Sequence, residues 1–558
     1  MKKSILLLIG YLLFPICLFA QLSTRERPVS FDMVIKQMQD INDSVATITM
    51  PTLDMTKIEE EDLNNEKNGM PPRYGYPHKV AYSINNSGTW KTLANGDKLW
   101  QLHIICPKAL SINFLFDKFW LPEGGKLFVY SPDYKQYIGA FTSKNNKGDS
   151  INVRGFATEV IFSDEVTLEY YQPKFVTSHA IISIRNIVQG YKSIDIFGHS
   201  GGCQVNVNCP EGQNWQHEKK AVAFIANAFC NIFSGSLLNT TDNEQKPYLL
   251  TGRHCLYAND SALHQQNLDL MVFYWNYEES SCDSTSSQST YYTTSGATIL
   301  ADNIITDFIL LKLTEDPKEL PLYTPYYLGW DNSGDSGSPG VCIHHPNGDS
   351  KKISTVLDQP TSTNISPYNN VGWKVYWAAT PNGYGTTESG SSGSPLLSGE
   401  HKVIGQLRNG ASRCDRPMLY DTFGKFSISW TGNGDSISHK RLDCWLDSLG
   451  TGLISLEGVL LIKTEEVLTR NEQLYSNIRI TSTGRLTIQG DIELMGNSRV
   501  IVESGGELII DGGTLSNANL VLKSGATLRI INNGIIELRN GFEAPLGTIV
   551  DIDNGQIL

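Results

Sequence analysis

The hydrophobic positions of this chain fall in short runs and alternations between turn residues, the pattern of β-strands. Four of them, Leu99-Trp-Gln-Leu-His-Ile-Ile105, Ser111-Ile-Asn-Phe-Leu-Phe116, Lys126-Leu-Phe-Val-Tyr130 and Val166-Thr-Leu-Glu-Tyr-Tyr171, predict a β-sandwich within residues 21–197. An acidic stretch around Glu59-Glu-Glu-Asp62 and Met70-Pro-Pro-Arg73 precedes it and reads as a linker. From residue 453 to 558 the pattern is periodic. Gly484-Arg-Leu-Thr-Ile488, Gly506-Glu-Leu-Ile-Ile510, Gly525-Ala-Thr-Leu-Arg-Ile530 and Gly547-Thr-Ile-Val-Asp-Ile552 recur about every 20 residues, each followed by a second glycine turn such as Gly490-Asp-Ile-Glu-Leu494 or Gly534-Ile-Ile-Glu-Leu538. Two short strands per repeat cannot bury their own apolar faces, so stacked coils sharing one core, a small β-solenoid, are predicted. No catalytic constellation is visible there, and attachment to a surface or substrate is the expected role.

The amino terminus is different in kind. Met1-Lys-Lys3 is charged, residues 5 to 19 are apolar, and Ala20-Gln21 suits cleavage, so residues 1–20 read as a signal peptide and the chain as secreted or at the cell surface. Ile16 stands where a lipid-attachment site would want a small residue before Cys17, which argues against lipidation. No later run is long enough to span a bilayer. At 558 residues there is room for three domains, and a net charge of −13 gives no electrostatic footprint for nucleic acid. Ten cysteines fit an oxidising compartment, and polypeptide is the expected macromolecular partner.

The candidate chemistry lies in residues 198–452. In Gly390-Ser391-Ser392-Gly393, flanking glycines let the backbone approach a carbonyl and aim the Gly390 and Ser392 N–H groups at a developing oxyanion. Ser392 is the candidate nucleophile. A serine hydroxyl needs an imidazole to take its proton and a carboxylate to orient that imidazole. His254 ends the apolar run Tyr248-Leu-Leu-Thr-Gly-Arg-His254, and Asp307 heads the β-like run Asp307-Phe-Ile-Leu-Leu-Lys-Leu313. The order His, Asp, Ser is that of the chymotrypsin-type class.

Residues 198 to 450 resemble the bacterial lysyl endopeptidases, secreted trypsin-like serine proteases with a double β-barrel. The resemblance is carried by Ser200-Gly-Gly-Cys203, Cys209-Pro-Glu-Gly212, Gly235-Ser-Leu-Leu-Asn239, Thr251-Gly-Arg-His254-Cys255, Tyr274-Trp-Asn-Tyr277, Ile343-His-His-Pro346, the Ser392 turn, Gly405-Gln-Leu407, Ser429-Trp-Thr-Gly432 and Trp445-Leu-Asp447. It implies a mostly β protein with a chymotrypsin-like double barrel, a sandwich-like pro-region before it and the solenoid after it. It also implies a serine endopeptidase that works through an acyl-enzyme on His254, Asp307 and Ser392. Asp421 matches the family's lysine-reading aspartate. The stretch Val403-Ile-Gly-Gln406-Leu407-Arg408-Asn-Gly410 reads as an edge strand that pairs with substrate and walls its pocket.

Two departures bear on specificity. The family has a histidine where this chain has Arg408, and its tryptophan upstream of the nucleophile has no clear counterpart between Thr361 and Gly372. Cleavage after Lys, or after Lys and Arg, is the expectation. Animal trypsins seat a new amino terminus beside an aspartate preceding the nucleophile; Ser391 occupies that place here, so removal of an inhibitory leader is the expected activation. Leu121-Pro-Glu-Gly-Gly125 and Tyr130-Ser-Pro-Asp133 resemble the propeptides of such enzymes, and Lys192 is the expected site of self-cleavage. By the same resemblance three disulfides follow, Cys203–Cys414, Cys209–Cys282 and Cys230–Cys255, each worth about 2–4 kcal/mol; Cys106, Cys342 and Cys444 have no assigned partner. No cofactor or metal is expected, since His344-His345 near Cys342 matches no usual zinc spacing. The competing reading is an inactive protease-fold adhesin or binding protein.

Overall fold

The computed structural model describes residues 26–31, 45–192, 199–257, 264–283 and 290–558. The apolar amino-terminal segment with Cys17 lies outside the described residues, as does the junction at 193–198. Among the described residues no helix is long and apolar enough to cross a membrane.

The first unit is two sheets around one core. One sheet runs Ala46–Thr49, Lys98–Ile105, Glu165–Gln172, Lys126–Tyr130 and Tyr137–Phe141, with Thr89–Thr92 on Lys98–Ile105; the other runs Gly75–Ser83, Ile181–Gly190, Ser111–Trp120 and Phe156–Ala157. Alternation in Lys98–Ile105 sends Trp100, Leu102 and Ile104 inward against Phe114, Phe116 and Phe119. The expected linker is a correction: residues 55 to 67 form the helix Met55–Lys67, with Asp54 as its N-cap accepting from Lys57 N at 3.3 Å. Only Ile58 in it is buried, so no apolar stripe announced it, whereas its Glu, Lys and Leu residues favour helix.

The central unit joins a seven-stranded sheet, ordered from Tyr292–Ser295 through Val272–Trp275, Val222–Ala226, Ile232–Leu237, Tyr248–Gly252 and Phe308–Leu313 to Ala297–Asn303, to a ten-stranded one. The second carries Val205–Asn206, Lys352–Thr355, Val341–His344, Pro395–Leu397, Lys402–Gly410, Asp421–Lys425, Tyr368–Val375 and Thr361–Ile365 along its main path. These are the two β-barrels of a chymotrypsin-like fold.

The carboxyl-terminal unit is a β-solenoid of about 5 turns with three strands per coil, which corrects the two expected. Val500–Val502 and Leu520–Leu522 form the missed face; each is only three residues long, and the second follows Asn519 with no glycine turn before it. In-register ladders such as Leu460, Ile478, Val500, Leu520 and Leu486, Leu508, Leu528 fill its interior. Its first strand, Gly458–Ile462, also pairs antiparallel with Tyr326–Tyr327 of the central unit, so the two units share one continuous core.

Candidate active site

Three strand ends meet in one cleft. His254 follows Tyr248–Gly252, Asp307 precedes Phe308–Leu313, the next strand of the same sheet, and Ser392 precedes Pro395–Leu397 in the other sheet. His254 Nε2 lies 2.9 Å from Ser392 Oγ, and His254 Nδ1 lies 2.5 Å from Asp307 Oδ2. Asp307 Oδ1 accepts the backbone N–H of His254 at 2.9 Å, and its carbonyl accepts that of Arg253 at 2.8 Å. The carboxylate therefore fixes both ring and backbone of the histidine. Burial pulls the His254 pKa down, while Cys255 and the charge and hydrogen bond of Asp307 pull it up; the balance lies well above the ordinary 6.5.

The serine turn is shaped by what it packs against. Gly390 has φ +94° and Gly393 φ +84°, and a Cβ on Gly393 would stand 2.1 Å from Thr251 Oγ1 and 2.4 Å from Ser234 O. Only glycine fits there. Ser391 N donates to Glu388 O and Gly393 N to Leu407 O, both at 2.9 Å, whereas among the described residues the N–H groups of Gly390 and Ser392 have no acceptor.

Asp421 is fully buried below this cleft. Its Oδ2 accepts from Trp377 Nε1 (2.7 Å), Thr387 Oγ1 (2.6 Å) and Ser412 Oγ (2.6 Å), and its Oδ1 from Ser412 N (3.0 Å). Asp421 does not itself line the cavity; Thr387, Gly410 and Ser412 do, and a Cβ on Gly410 would stand 2.4 Å from Asp421 Oδ1. Lys402–Gly410 is no edge strand, which corrects the expectation. It pairs with Pro395–Leu397 on one side and Asp421–Lys425 on the other, because Gly405 and Gln406 complete the barrel, and only its end beyond Leu407 is open on the cleft side. Leu407, Arg408 and Gly410 line the cleft, while Gln406 is buried and donates from Nε2 to Thr306 O at 2.7 Å, bracing the residue before Asp307.

The cleft encloses about 1190 Å³, and its far wall is the first unit. Glu59, Asp62 and Leu63 of the helix Met55–Lys67, the following Met70 and Arg73, and Lys192 face the same space as His254 and Ser392. Asp62 accepts from Arg73 Nε at 2.8 Å and from Tyr191 OH at 2.7 Å. The chain beyond is stitched to the barrel by Asn231 Nδ2 to Pro71 O (2.8 Å), Ile232 N to Pro72 O (2.9 Å) and Tyr74 N to Cys230 O (3.1 Å). The sequence led to the expectation of an inhibitory leader but not of the residues that form this wall, nor of Trp377, Thr387 and Ser412 as the keepers of Asp421; none has a short-range signature.

Cys203–Cys414 and Cys209–Cys282 are bonded. Cys230–Cys255 is not, a correction to the expected set: both thiols are free and buried. Cys230 sits in the turn before Ile232–Leu237 and packs with Tyr74, Leu115 and Phe224 on the face toward the first unit. Cys255 points into the barrel core, which also holds Phe233 and Leu249.

Residues 197–424 match the family model described as lysyl endopeptidase, C-terminal domain. The chain is similar to a lysyl endopeptidase of Pseudomonas aeruginosa, 30% identical over 256 residues, covering 43% of this chain and 52% of that protein. It thus spans about half the length of that curated relative. Among solved structures it is similar to the active form of the Rv3671c protease from M. tuberculosis (11% identity, TM-score 0.26, 42% of this chain and 89% of that one). It is likewise similar to Deg5 (17% identity, TM-score 0.24, 37% and 85%).

Proposed function

Residues 197–424 belong to the lysyl endopeptidase family, and from that premise we propose that the protein is a secreted serine endopeptidase, held latent by its own first unit until that unit is cut away. The observation that carries the reading is Ser392 Oγ at 2.9 Å from His254 Nε2, with Asp307 on the other ring nitrogen.

In this reading Ser392 attacks the scissile carbonyl while His254 takes its proton, and the N–H groups of Gly390 and Ser392 receive the oxyanion. His254 then protonates the leaving amine, and water hydrolyses the acyl-enzyme by the same route in reverse. Asp307 keeps the imidazole in the tautomer that presents Nε2 to the serine. Asp421 acts as a fixed negative charge under the pocket, felt through Thr387 and Ser412, and selects Lys, or Lys and Arg, at the bond cut. The apolar amino-terminal segment and the two disulfides support export.

Latency rests on the wall across the cleft. A substrate strand beside Arg408 to Gly410 would enter space bounded by the helix Met55–Lys67 and Lys192. The test is cleavage-site mapping of a peptide library with wild type and Ser392→Ala, alongside amino-terminal sequencing of each. Cuts after basic residues and a new terminus at Ser193, both lost in the variant, are expected; removing the nucleophile costs about 10⁶ in turnover. A processed, folded wild type that makes no cuts transfers the fold to a binding role.

A further inference from the structure

Ser391, beside the nucleophile, has every polar atom engaged. Its N–H donates to Glu388 O at 2.9 Å, and its carbonyl accepts from Ser394 N at 3.1 Å and Ser394 Oγ at 2.5 Å. Its Oγ accepts the Glu388 N–H at 3.1 Å and lies 2.7 Å from His344 Nδ1, while His344 Nε2 lies 2.8 Å from Ser354 Oγ. Among the described residues Nδ1 is the acceptor within reach of the Ser391 hydroxyl proton, so that proton is assigned to Nδ1 and the His344 Nε2–H to Ser354 Oγ. One tautomer satisfies the whole chain. His344, Ser354 and Ser391 are fully buried, and burial together with the Lys352 charge pushes the imidazole pKa down to about 3, so it is neutral.

The residues after His344 grip the same turn. His345 N donates to Ser234 Oγ at 3.1 Å, which donates to Gly390 O at 3.0 Å, and Asn347 N donates to Ser389 O at 2.5 Å. In a planar trans peptide the C=O and the following N–H point in opposite directions. Tying Ser389 O to Asn347 therefore turns Gly390 N–H toward the cleft. Tying Ser391 O to Ser394 does the same for Ser392 N–H. Among the described residues both N–H groups are without an acceptor, as is that of Ser389.

We propose that His344 is a positioning residue: by gripping Ser391 it holds the Gly390 and Ser392 N–H groups in register with the nucleophile, so that the site is assembled without a newly exposed amino terminus. The inference rests on the endopeptidase reading. It also explains why the His254–Ser392 contact is formed in a chain whose first unit still walls the cleft: latency here is occlusion, and the catalytic geometry is built in beforehand.

The test compares His344→Ala, His344→Gln, Ser391→Ala and the His344→Ala/Ser391→Ala double variant, each produced as the full chain and assayed after processing. Each is titrated with an irreversible active-site phosphonate and assayed on Lys-containing peptides beside a thermal melt. Loss of a whole oxyanion donor costs about 10²–10³ in kcat; misaimed donors are expected to cost about 10- to 100-fold in kcat per titrated site, with KM little changed. The double variant should be no worse than the worse single one. Normal kcat per titrated site in the single variants, or losses that multiply, overturn the proposal, since a purely structural role lowers only the titratable fraction and the melting temperature. If His344→Ala does not fold, Ser391→Ala and His344→Gln decide by the same readout. A wild type without turnover sinks the endopeptidase reading itself, a result distinct from intact turnover in the variants.

Discussion

Lys192 Nζ stands 3.8 Å from Asp62 Oδ2, and through that pair the expected cleavage site is held against the helix that walls the cleft. Asp62 also bonds Arg73 and Tyr191, so one carboxylate ties together the helix, the segment stitched to the barrel and the end of the first unit. Hydrogen bonds to a charged group are worth about 1.5–3 kcal/mol. Asp62→Asn keeps the shape and removes the charge. In a Lys192→Gln background, where the chain stays uncut, it is expected to raise hydrolysis of a small Lys substrate about tenfold or more. An unchanged rate would show that the helix does not gate the cleft.

The pH profile reports on His254. In the proposed endopeptidase His254 is the base and works only when neutral; its pKa is raised well above 6.5, so the acid limb of kcat/KM is expected above pH 6.5. The linkage has the sign of a raised group: the stabilisation from the His254–Asp307 pair is fully present below pH 6.5 and is lost as pH rises through the folded-state value. Cys255 and Asp307 both raise the His254 pKa; Asp307→Asn removes the Asp307 part, so its limb is expected to move to lower pH while kcat falls about 10⁴-fold. Coincident limbs in wild type and variant would contradict the assignment of that limb to His254.

Thiol counting checks the disulfide correction. Cys106, Cys230, Cys255, Cys342 and Cys444 are free, and of these only Cys444 is exposed. Alkylation of the native, unreduced protein is expected to label Cys444, and alkylation after unfolding to add the four buried thiols. Failure to label Cys230 and Cys255 in the unfolded, unreduced protein would restore the bond.

The same contrast shows which features a sequence exposes. His254, Asp307 and Ser392, which the fold brings together, could be picked out as candidates because each sits at the end of a local apolar run or glycine turn, and strands such as Lys126–Tyr130 because alternation is itself local. The helix Met55–Lys67 could not, since a surface helix with one buried residue has no stripe. The grip of His344 on Ser391 spans 47 positions and joins two strands of a barrel, a relation that only the folded sheet creates. Cys230–Cys255 failed for a related reason: proximity in sequence to the right strands did not decide which face of the turn Cys230 occupies.

The solenoid makes the last claim testable. Tyr326–Tyr327 is covered by Gly458–Ile462, and a Cβ on Gly458 would meet Tyr326 Oη at 2.1 Å, so the fit is close. His401 is sandwiched between Trp215 at 3.9 Å and Tyr475 at 4.4 Å, and Arg479 Nη1 donates to Gln245 Oε1 at 2.6 Å. Each large side chain uncovered costs about 1.5–3 kcal/mol, and a few such losses rival a domain's whole stability of about 5–15 kcal/mol. A chain ending at residue 452 is therefore expected to lose its folded protease unit and its activity. Among the described residues, the hydrogen bonds and ion pairs of positions beyond 502 go to other solenoid residues and not to the protease unit, so a chain ending at 502 should keep the protease unit's melting behaviour and turnover. If the 452 truncation melts and cleaves like the full chain, the shared core contributes nothing to the protease, and the repeats are an independent module.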